Sequence, residues 1–386
     1  MKKIILSTIA LIVSIAMMAN DGVYYTAGNQ LVPLAETDIQ VKKEILTISL
    51  LDNRRAKVDV YYEFVNPTSS SKTLQMGFEA DPSYNDDYTF YPSGRHPHIF
   101  DFTVEMNGQK LDYQNAVCNL DGGKTFDRID ASKWKLDDEV NLQLVNKSNP
   151  NQTIDSYAYV YYFQATFRPG VNKVHHTYLY TLSMSVGTTF ELNYKLSPAT
   201  RWANHQIDDF TLVVRADNTA KHFLLQPKAF PASSLKVTEG KGKIRSTKSQ
   251  YDTSYTEVTL RNGAITFHQT NYRPAEELSI ASADELYAFS SPDGICHFGA
   301  FYDRSSSQFA YMWRTVEDHA PKDLNLVKRI ARNLPYAHRG HVFKDATLKK
   351  YFESLWWYMP DPSYVDEQDS FTEADREMLN FDPSAE

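Results

Sequence analysis

Hydrophobic residues that recur with a period of two are the feature that most restricts how this chain can fold. In "RAKVDVYYEFVNP", Val58, Val60, Tyr62 and Phe64 alternate with charged or polar residues, and "TTFELNYKL" repeats the pattern. Successive side chains of a strand point to opposite faces, so this alternation predicts half-buried β-strands. "SYAYVYYFQATF" is apolar on both faces, which is typical of a strand between two layers.

Turn residues separate these predicted strands. "VNPTSSS" and "FRPGVN" are predicted loops, and Asn262-Gly263 predicts a two-residue hairpin turn that places Leu260 opposite Ile265. Many short strands with turns between them, and no regular alternation of strand and helix, favour an antiparallel β-sandwich. The fold class we predict is mainly β.

The periodicity changes to that of a helix in the last quarter of the chain. Leu324, Val327, Ile330 and Leu334 are spaced by three and four residues, the pattern of an amphipathic helix. A second helix is predicted from Leu348, Tyr351, Phe352 and Leu355, and a third, in "SFTEADREML", from Thr372 at its cap and Asp375.

We therefore divide the chain into four segments. They are a signal peptide (1–19), a β-sandwich domain (20–285), a connecting segment (286–322) and a small α-helical C-terminal domain (323–386).

The first segment predicts export. Lys2 and Lys3 precede an uncharged apolar run from Ile4 to Ala19, which is short for a membrane span and is followed by no basic cluster. This is the pattern of a secretory signal peptide. No cysteine follows the run directly, so we expect a periplasmic or secreted protein without a lipid anchor and without an integral membrane span after cleavage.

The net charge argues against nucleic acid as a partner. The formal charge is −8, and it becomes −10 when Lys2 and Lys3 are removed with the signal peptide. Binding to nucleic acid needs a basic surface that offsets the phosphates.

Cys118 and Cys296 are the two cysteines of the chain. An oxidising compartment permits a disulfide between them. Closing a loop of this length stabilises a fold by roughly 5 kcal/mol at most in the chain-entropy model. Two separate buried thiols are the alternative, and the sequence does not choose between the two.

The C-terminal segment "RNLPYAHRGHVFKDATLKKYFESLWWYMPDPSY", followed by "SFTEADREMLN", resembles the YARHG domain, an exported bacterial module. The resemblance covers about residues 324–381. In the family motif the order is Tyr-Ala-Arg-His-Gly, whereas this chain has His338 before Arg339. The matching positions are Tyr336, Ala337, Gly340, Phe343, Tyr351, Phe352, Trp357 and Tyr358.

A second resemblance covers about residues 20–283. "NDGVYYTAGNQLVPLAETDIQVKKEILTISL", "VDVYYEFVNP", "FRPGVNKVHHTYLY" and "YKLSPATRWANHQIDDFTLVV" are similar to a family of exported bacterial β-domains of unknown function. Neither resemblance implies a reaction, a substrate or a cofactor. The YARHG resemblance implies an accessory or binding role.

Two interpretations apply to the cluster of His, Arg and aromatic residues in this C-terminal segment. In the catalytic one, His338 or His341 is a general base oriented by Asp345. In the structural one, Gly340 permits a tight turn, the large aromatic residues fill a small core, and Arg339 binds backbone carbonyls or a carboxylate. We favour the structural interpretation and assign no catalytic residue, although Arg339 is also a candidate binding residue.

Other candidate sites lie in the predicted sandwich. The loop "DPSYNDDYTFYPSGRHPH" carries Tyr84, Tyr88 and Tyr91 beside carboxylates, a composition that suits binding of sugars or peptides. His96 and His98 flank Pro97, which disfavours a strand, and neighbouring His175 and His176 would point to opposite faces. We therefore predict no metal site and no cofactor.

The sequence thus predicts an exported, non-enzymatic binding or accessory protein with an unidentified envelope ligand, which is a protein, a peptide or a glycan. The alternative is a hydrolase of peptide or envelope polymer that uses the His/Asp cluster.

Overall fold

The computed structural model describes residues 31–33, 37–51, 54–82, 90–121, 126–138, 143–185, 188–249, 252–283, 323–366, 369, 371 and 373–382. The predicted signal peptide and the whole connecting segment (286–322) lie outside these residues, so the predicted segment boundaries stay predictions.

The strands of the described part are β1 (Leu31–Pro33), β2 (Gln40–Leu50), β3 (Arg55–Asn66), β4 (Lys72–Ala80), β5 (Ile99–Met106), β6 (Gln109–Lys110), β7 (Gln114–Asn119), β8 (Asp127–Arg128), β9 (Trp134–Asp138), β10 (Gln143–Asn146), β11 (Asn149–Ile154), β12 (Tyr157–Phe167), β13 (Gly170–Thr181), β14 (Ser183–Ser185), β15 (Thr188–Tyr194), β16 (Ile207–Leu225), β17 (Leu235–Lys248), β18 (Ser254–Tyr272) and β19 (Leu278–Ser282). Its α-helices are α1 (Leu324–His338), α2 (Ala346–Glu353) and α3 (Glu373–Leu379).

Within the described ranges, the strands form one large sheet and two smaller ones. The large sheet has the order β14-β15-β19-β16-β2-β3-β13-β5-β6, and β18 and β17 extend it from β16. A second sheet has the order β1-β4-β12-β7-β8, and a third has the order β11-β10-β9. The mainly β fold with a small helical C-terminal unit is confirmed. One pairing, between β2 and β16, is parallel.

Aromatic side chains fill the layer between the large sheet and the second sheet. Phe78 of β4 lies 5.0 Å, between ring centroids, from Tyr178 of β13. Phe64 of β3 lies 5.6 Å from Phe167 of β12. The alternation in β3 places its apolar side chains in this core and its charged ones on the outer face. The strand β12 is buried on both faces, as its sequence predicts.

The predicted hairpin at Asn262-Gly263 is wrong. β18 runs through both residues as one long strand, and Leu260 pairs with Gly242 of β17 rather than with Ile265. Asn262 has φ of 46°, and the registers of β16 and β17 both shift opposite this point. The positive φ therefore serves a bulge in a continuous strand, not a chain reversal.

Helix α1 follows the predicted stripe, whereas α2 ends at Glu353, so Leu355 lies beyond the helix to which it was predicted to belong. Val327, Ile330 and Leu334 of α1 are buried, whereas Leu324 is exposed. Helix α1 continues through Pro335 to His338, so the Tyr-Ala-His of the motif forms its last turn. Gly340, with φ of +89°, follows the helix and reverses the chain, a conformation that glycine adopts readily.

Candidate functional site

The aromatic residues of the C-terminal motif form the core of the helical unit. The rings of Phe343 and Phe352 stack with centroids 4.5 Å apart. Trp357 and Tyr358 are buried in the same cluster, and Tyr351 packs against it. Ala337 lies in this core, and Tyr336 packs against its edge. These side chains form the hydrophobic core of the helical unit or pack against it, and so stabilise its fold.

Arg339 is held inside the C-terminal unit by three contacts. Its guanidinium donates to the carbonyl oxygen of Pro335 at 3.0 Å and to the carboxylate of Asp375 at 2.6 Å. It also lies over the ring of Phe371, with the guanidinium carbon 4.4 Å from the ring centroid. Arg339, whose side chain is 18% exposed, thus joins the end of α1 to α3. Its role as a binding residue stays a prediction.

Asp345 acts as the N-cap of α2. Its carboxylate accepts hydrogen bonds from the backbone N–H groups of Thr347 and Leu348 at 3.1 and 3.0 Å. The guanidinium of Arg329 lies 2.9 Å away. The hydrogen bond from Leu348, assisted by the charge of Arg329, lowers the pKa of the Asp345 carboxyl below its ordinary value.

The two histidines of the alternative catalytic site have aromatic neighbours. The ring of His338 lies 4.7 Å from that of Trp357, and the ring of His341 lies 4.9 Å from that of Phe343. Asp345 hydrogen-bonds to neither histidine in the described structure. Asp345 therefore does not orient either histidine as a general base in the described structure.

A row of basic side chains joins the sandwich to the C-terminal unit. We call it the basic ladder, and it consists of Lys241, Lys243 and Arg245 of β17 and Arg261 of β18.

The basic ladder contacts the segment "WWYMPD", residues 356–361. Lys243 donates to the carbonyl oxygens of Trp356 and Tyr358 at 2.8 and 2.9 Å. The guanidinium carbon of Arg245 lies 4.3 Å from the ring centroid of Trp356, and Lys241 forms an ion pair of 2.6 Å with Asp361.

Burial and charge shift the pKa values of two groups at this contact. Burial, with the nearby charge of Arg245, lowers the pKa of the Lys243 ammonium. The hydrogen bond from Lys241 holds the pKa of Asp361 well below its usual range. The contact is therefore a network of charged and backbone groups.

An open cavity lies on the outer face of the large sheet. It has a volume of about 270 Å³ and is lined by Tyr61, Glu105, Asn107, Gly108, Lys173 and His175. His175 pairs directly across the sheet with Tyr61 of β3 on one side and Glu105 of β5 on the other. We call this the His175 cavity.

Hydrogen bonds hold the two ring side chains of the His175 cavity, His175 and Tyr61. Nε2 of His175 lies 2.8 Å from Asp59, and its Nδ1 lies 3.7 Å from Glu105. The hydroxyl of Tyr61 donates to Glu63 at 2.8 Å. Burial, and secondarily this hydrogen bond, raises the pKa of Tyr61 to about 12. The cavity thus presents one acidic side chain (Glu105), one basic side chain (Lys173) and two rings (Tyr61 and His175).

Family comparisons agree with both resemblances. Residues 314–381 match the YARHG domain. The chain carries a YARHG domain at its C-terminal end. Residues 19–154 match a domain of unknown function, DUF4424. No curated protein matches the chain.

Solved structures that match the chain include a Legionella pneumophila protein described as a candidate nutrient binding protein. It is 18% identical, with a TM-score of 0.47, and the match covers 94% of this chain and 99% of that one. An M1 zinc metallopeptidase from Deinococcus radiodurans matches with 14% identity and a TM-score of 0.25, over 65% of this chain and 43% of that one. An aminopeptidase N family protein from Idiomarina loihiensis matches with 10% identity and a TM-score of 0.23, over 62% and 29%. This chain therefore spans less than half the length of either peptidase.

The predicted tyrosine-rich loop of the sandwich, residues 81–98, is only partly described. Tyr84 and Tyr88 lie outside the described residues, so their role stays a prediction. Tyr91 is half-buried against the core, and its backbone N–H donates to the hydroxyl of Tyr159 at 3.1 Å.

The histidines outside the YARHG domain assemble no metal site in the described part of the chain. Nε2 of His96 lies 3.0 Å from the carbonyl oxygen of Asp81. Burial lowers the pKa of His96 to about 3 and that of His98 to about 4. His175 and His176 point to opposite faces of β13, as predicted, with His176 in the core.

Cys118 is buried in β7 and is a free thiol among the described residues. Burial raises the pKa of this thiol to about 12. Cys296 lies outside the described residues, so the disulfide between them stays a prediction. None of the helices in the described ranges has the length and hydrophobicity of a membrane-spanning helix.

Sequence reasoning missed both the basic ladder and the His175 cavity. The ladder had a readable signal, because "KGKIR" places three basic residues on one face of a strand. The cavity is lined by residues from segments that are far apart in the sequence, and the sequence alone does not show that their strands are neighbours in the sheet.

Proposed function

We propose that the chain is an exported, non-enzymatic binding protein of the cell envelope, and that its ligand binds in the His175 cavity. The observation that carries this proposal is the open, mixed lining of that cavity. The polar side chains of the C-terminal cluster, by contrast, make structural contacts. Arg339 binds Asp375, and Asp345 caps α2.

The lining of the His175 cavity suits a small polar ligand that also has an apolar face. Glu105 accepts hydrogen bonds from hydroxyl or amino groups, and Lys173 supplies a positive charge for a carboxylate. The rings of Tyr61 and His175 offer flat surfaces on which a sugar ring or a peptide group packs. A short glycan or a peptide from the envelope meets these requirements.

Export is supported by the N-terminal pattern of Lys2, Lys3 and the apolar run that follows them. YARHG domains are found in extracellular proteins, which agrees with this location. Periplasmic and secreted forms are equally compatible with these observations.

The alternative, a hydrolase with His338 or His341 and Asp345 in its site, is not favoured. A general base needs a carboxylate or a comparable group that orients it, and Asp345 is committed to the first turn of α2 and to Arg329.

The test is a thermal-shift screen of the chain without residues 1–19 against peptidoglycan fragments, short peptides and oligosaccharides. A ligand should raise the unfolding midpoint saturably in the wild type and in the control His205→Ala, whose side chain is exposed and lines no part of the cavity. The same ligand should leave the midpoint of His175→Ala unchanged. An equal rise in His175→Ala would place the ligand elsewhere, and turnover of a panel member would overturn the non-enzymatic proposal.

A further inference from the structure

We propose that the YARHG domain contains a binding site for a guanidinium group, which Arg261 of the sandwich occupies in this chain. The site is formed by Gly340, Met359 and Asp361 of the domain. Arg261 reaches it from β18, and its side chain is 7% exposed. We call these three residues the guanidinium notch.

Two sides of the notch accept hydrogen bonds from Arg261. Its Nη1 donates to the carbonyl oxygen of Met359 at 2.6 Å, and its Nη2 lies 3.3 Å from the carboxylate of Asp361. A buried cation is expensive unless it is paired, and here a carbonyl and a carboxylate replace the lost water. The planar fork of an arginine presents a separate nitrogen to each of the two acceptors in a fixed geometry, whereas a lysine ammonium presents one nitrogen to both.

The third side of the notch is the backbone of Gly340. A Cβ atom at this position would overlap Nη1 of Arg261 and would lie 2.6 Å from its Cζ and 2.9 Å from its Nη2. Real Cβ atoms do not approach other heavy atoms this closely. Besides adopting a positive φ, the glycine of the motif therefore leaves the space that the guanidinium occupies, and a methyl group there would force the end of the Arg261 side chain to shift.

The notch is held together without Arg261. The backbone N–H of Asp361 donates to the carbonyl oxygen of Gly340 at 2.7 Å, which joins its two ends. The Asp361 carboxylate also accepts hydrogen bonds from Ser363 at 2.6 Å from its hydroxyl and 3.1 Å from its backbone N–H. Because these bonds lie within the domain, the site should persist when the arginine side chain is removed.

Chemical rescue tests this inference in the full mature chain. Arg261→Ala should unfold at a lower temperature than the wild type, and added ethylguanidinium should raise its midpoint saturably. A ligand at ten times its dissociation constant favours the folded state by a factor of about eleven. Ethylammonium at the same concentration should give no such rise, because it lacks the fork.

Two matched variants complete the experiment. Arg168→Ala removes an exposed arginine between β12 and β13, and ethylguanidinium should not raise its midpoint. The double variant Arg261→Ala/Gly340→Ala should also fail to respond, because the new methyl group fills the notch that the arginine side chain has left. If Arg261→Ala folds poorly, its refolding yield with ethylguanidinium against ethylammonium is the readout. Equal effects of the two cations on Arg261→Ala, in either measurement, would overturn the proposal.

Discussion

The imidazole of His222 lies 2.6 Å from the carboxylate of Glu257, and both side chains are buried on neighbouring strands of the large sheet. The same carboxylate accepts a hydrogen bond from Nε of Arg245 at 2.6 Å. Arg245 in turn covers Trp356 of the YARHG domain, and the ring of His222 lies 5.8 Å from that tryptophan. The buried carboxylate of Glu257 in the sandwich thus positions the guanidinium of Arg245, which contacts the C-terminal domain.

Glu257→Gln should therefore destabilise the protein strongly. The Glu257 carboxylate is fully buried and interacts with both Arg245 and His222, and loss of a buried hydrogen-bond partner costs about 1–3 kcal/mol, although Arg245 itself is 38% exposed and reaches water. Urea unfolding of wild type and variant measures this loss. The control is Glu239→Gln, which removes an exposed partner of Arg215 and should change stability little. Similar midpoints for the two variants would contradict the role we assign to Glu257.

Trp357→Ala should unfold the YARHG domain more easily than any surface substitution in it. Trp357 is buried in the aromatic core beside Phe352, and truncation of such a side chain costs about 3–5 kcal/mol. Thermal unfolding followed by circular dichroism measures the change. Val365→Ala, at a side chain that is 70% exposed, is the control and should leave the midpoint nearly unchanged. An unaltered midpoint in Trp357→Ala would argue against the structural interpretation.

Asp345 should stabilise the protein in a pH-dependent way. Its pKa is lower in the folded state than the ordinary value of 3.8, so its contribution is complete above that value and is lost as the pH falls through the folded-state pKa. Asp345→Asn keeps a capping oxygen and removes the charge, whereas Asp345→Ala removes both. We expect unfolding midpoints at pH 7 in the order wild type, Asn variant, Ala variant, with the first two converging in acid. A gap between them that is independent of pH would contradict this assignment.

His176 should make the protein less stable as the pH falls below about 6.5. It is buried among Phe78, Phe102 and Tyr178, and neither ring nitrogen has a hydrogen-bond partner in the described structure. Burial lowers its pKa to about 3, so the unfolded state binds a proton that the folded state does not between pH 6.5 and 3. Within this range, one such group lowers the unfolding free energy by about 1.4 kcal/mol for each unit by which the pH falls.

The variant His176→Leu should reduce this acid sensitivity while it keeps or raises stability at pH 7, because a leucine needs no hydrogen bond. Urea unfolding at a series of pH values measures the slope. His205→Leu, at an exposed position, is the control and should keep the slope of the wild type. An unchanged slope in His176→Leu would show that its ring is protonated in the folded state.

Much of the fold follows from local patterns. The alternation in β3 and the stripe in α1 each predicted which side chains are buried, since burial of one face is what makes a strand or helix stable in a domain.

The two Asn-Gly pairs show where prediction from a local pattern fails. Asn107 and Gly108, which the sequence analysis did not use, form the turn between β5 and β6 with φ of 51° and 79°.

The second pair, Asn262 and Gly263, lies in a continuous strand. Both pairs permit positive φ, but whether the chain reverses depends on strands that pair from distant parts of the sequence. The same limit applies to the candidate site. The spacing of Lys241, Lys243 and Arg245 is visible in the sequence, whereas their partners at 356–361 lie more than a hundred residues away.

We propose that ligand binding belongs to the outer face of the sandwich and that the histidines of the YARHG domain are structural. Calorimetric titration of the tightest ligand from the thermal-shift screen into His175→Ala and into the double variant His338→Ala/His341→Ala tests it most directly. We predict that His175→Ala loses most of its affinity while the double variant binds like the wild type. Loss of binding in the double variant with wild-type affinity in His175→Ala would contradict the account.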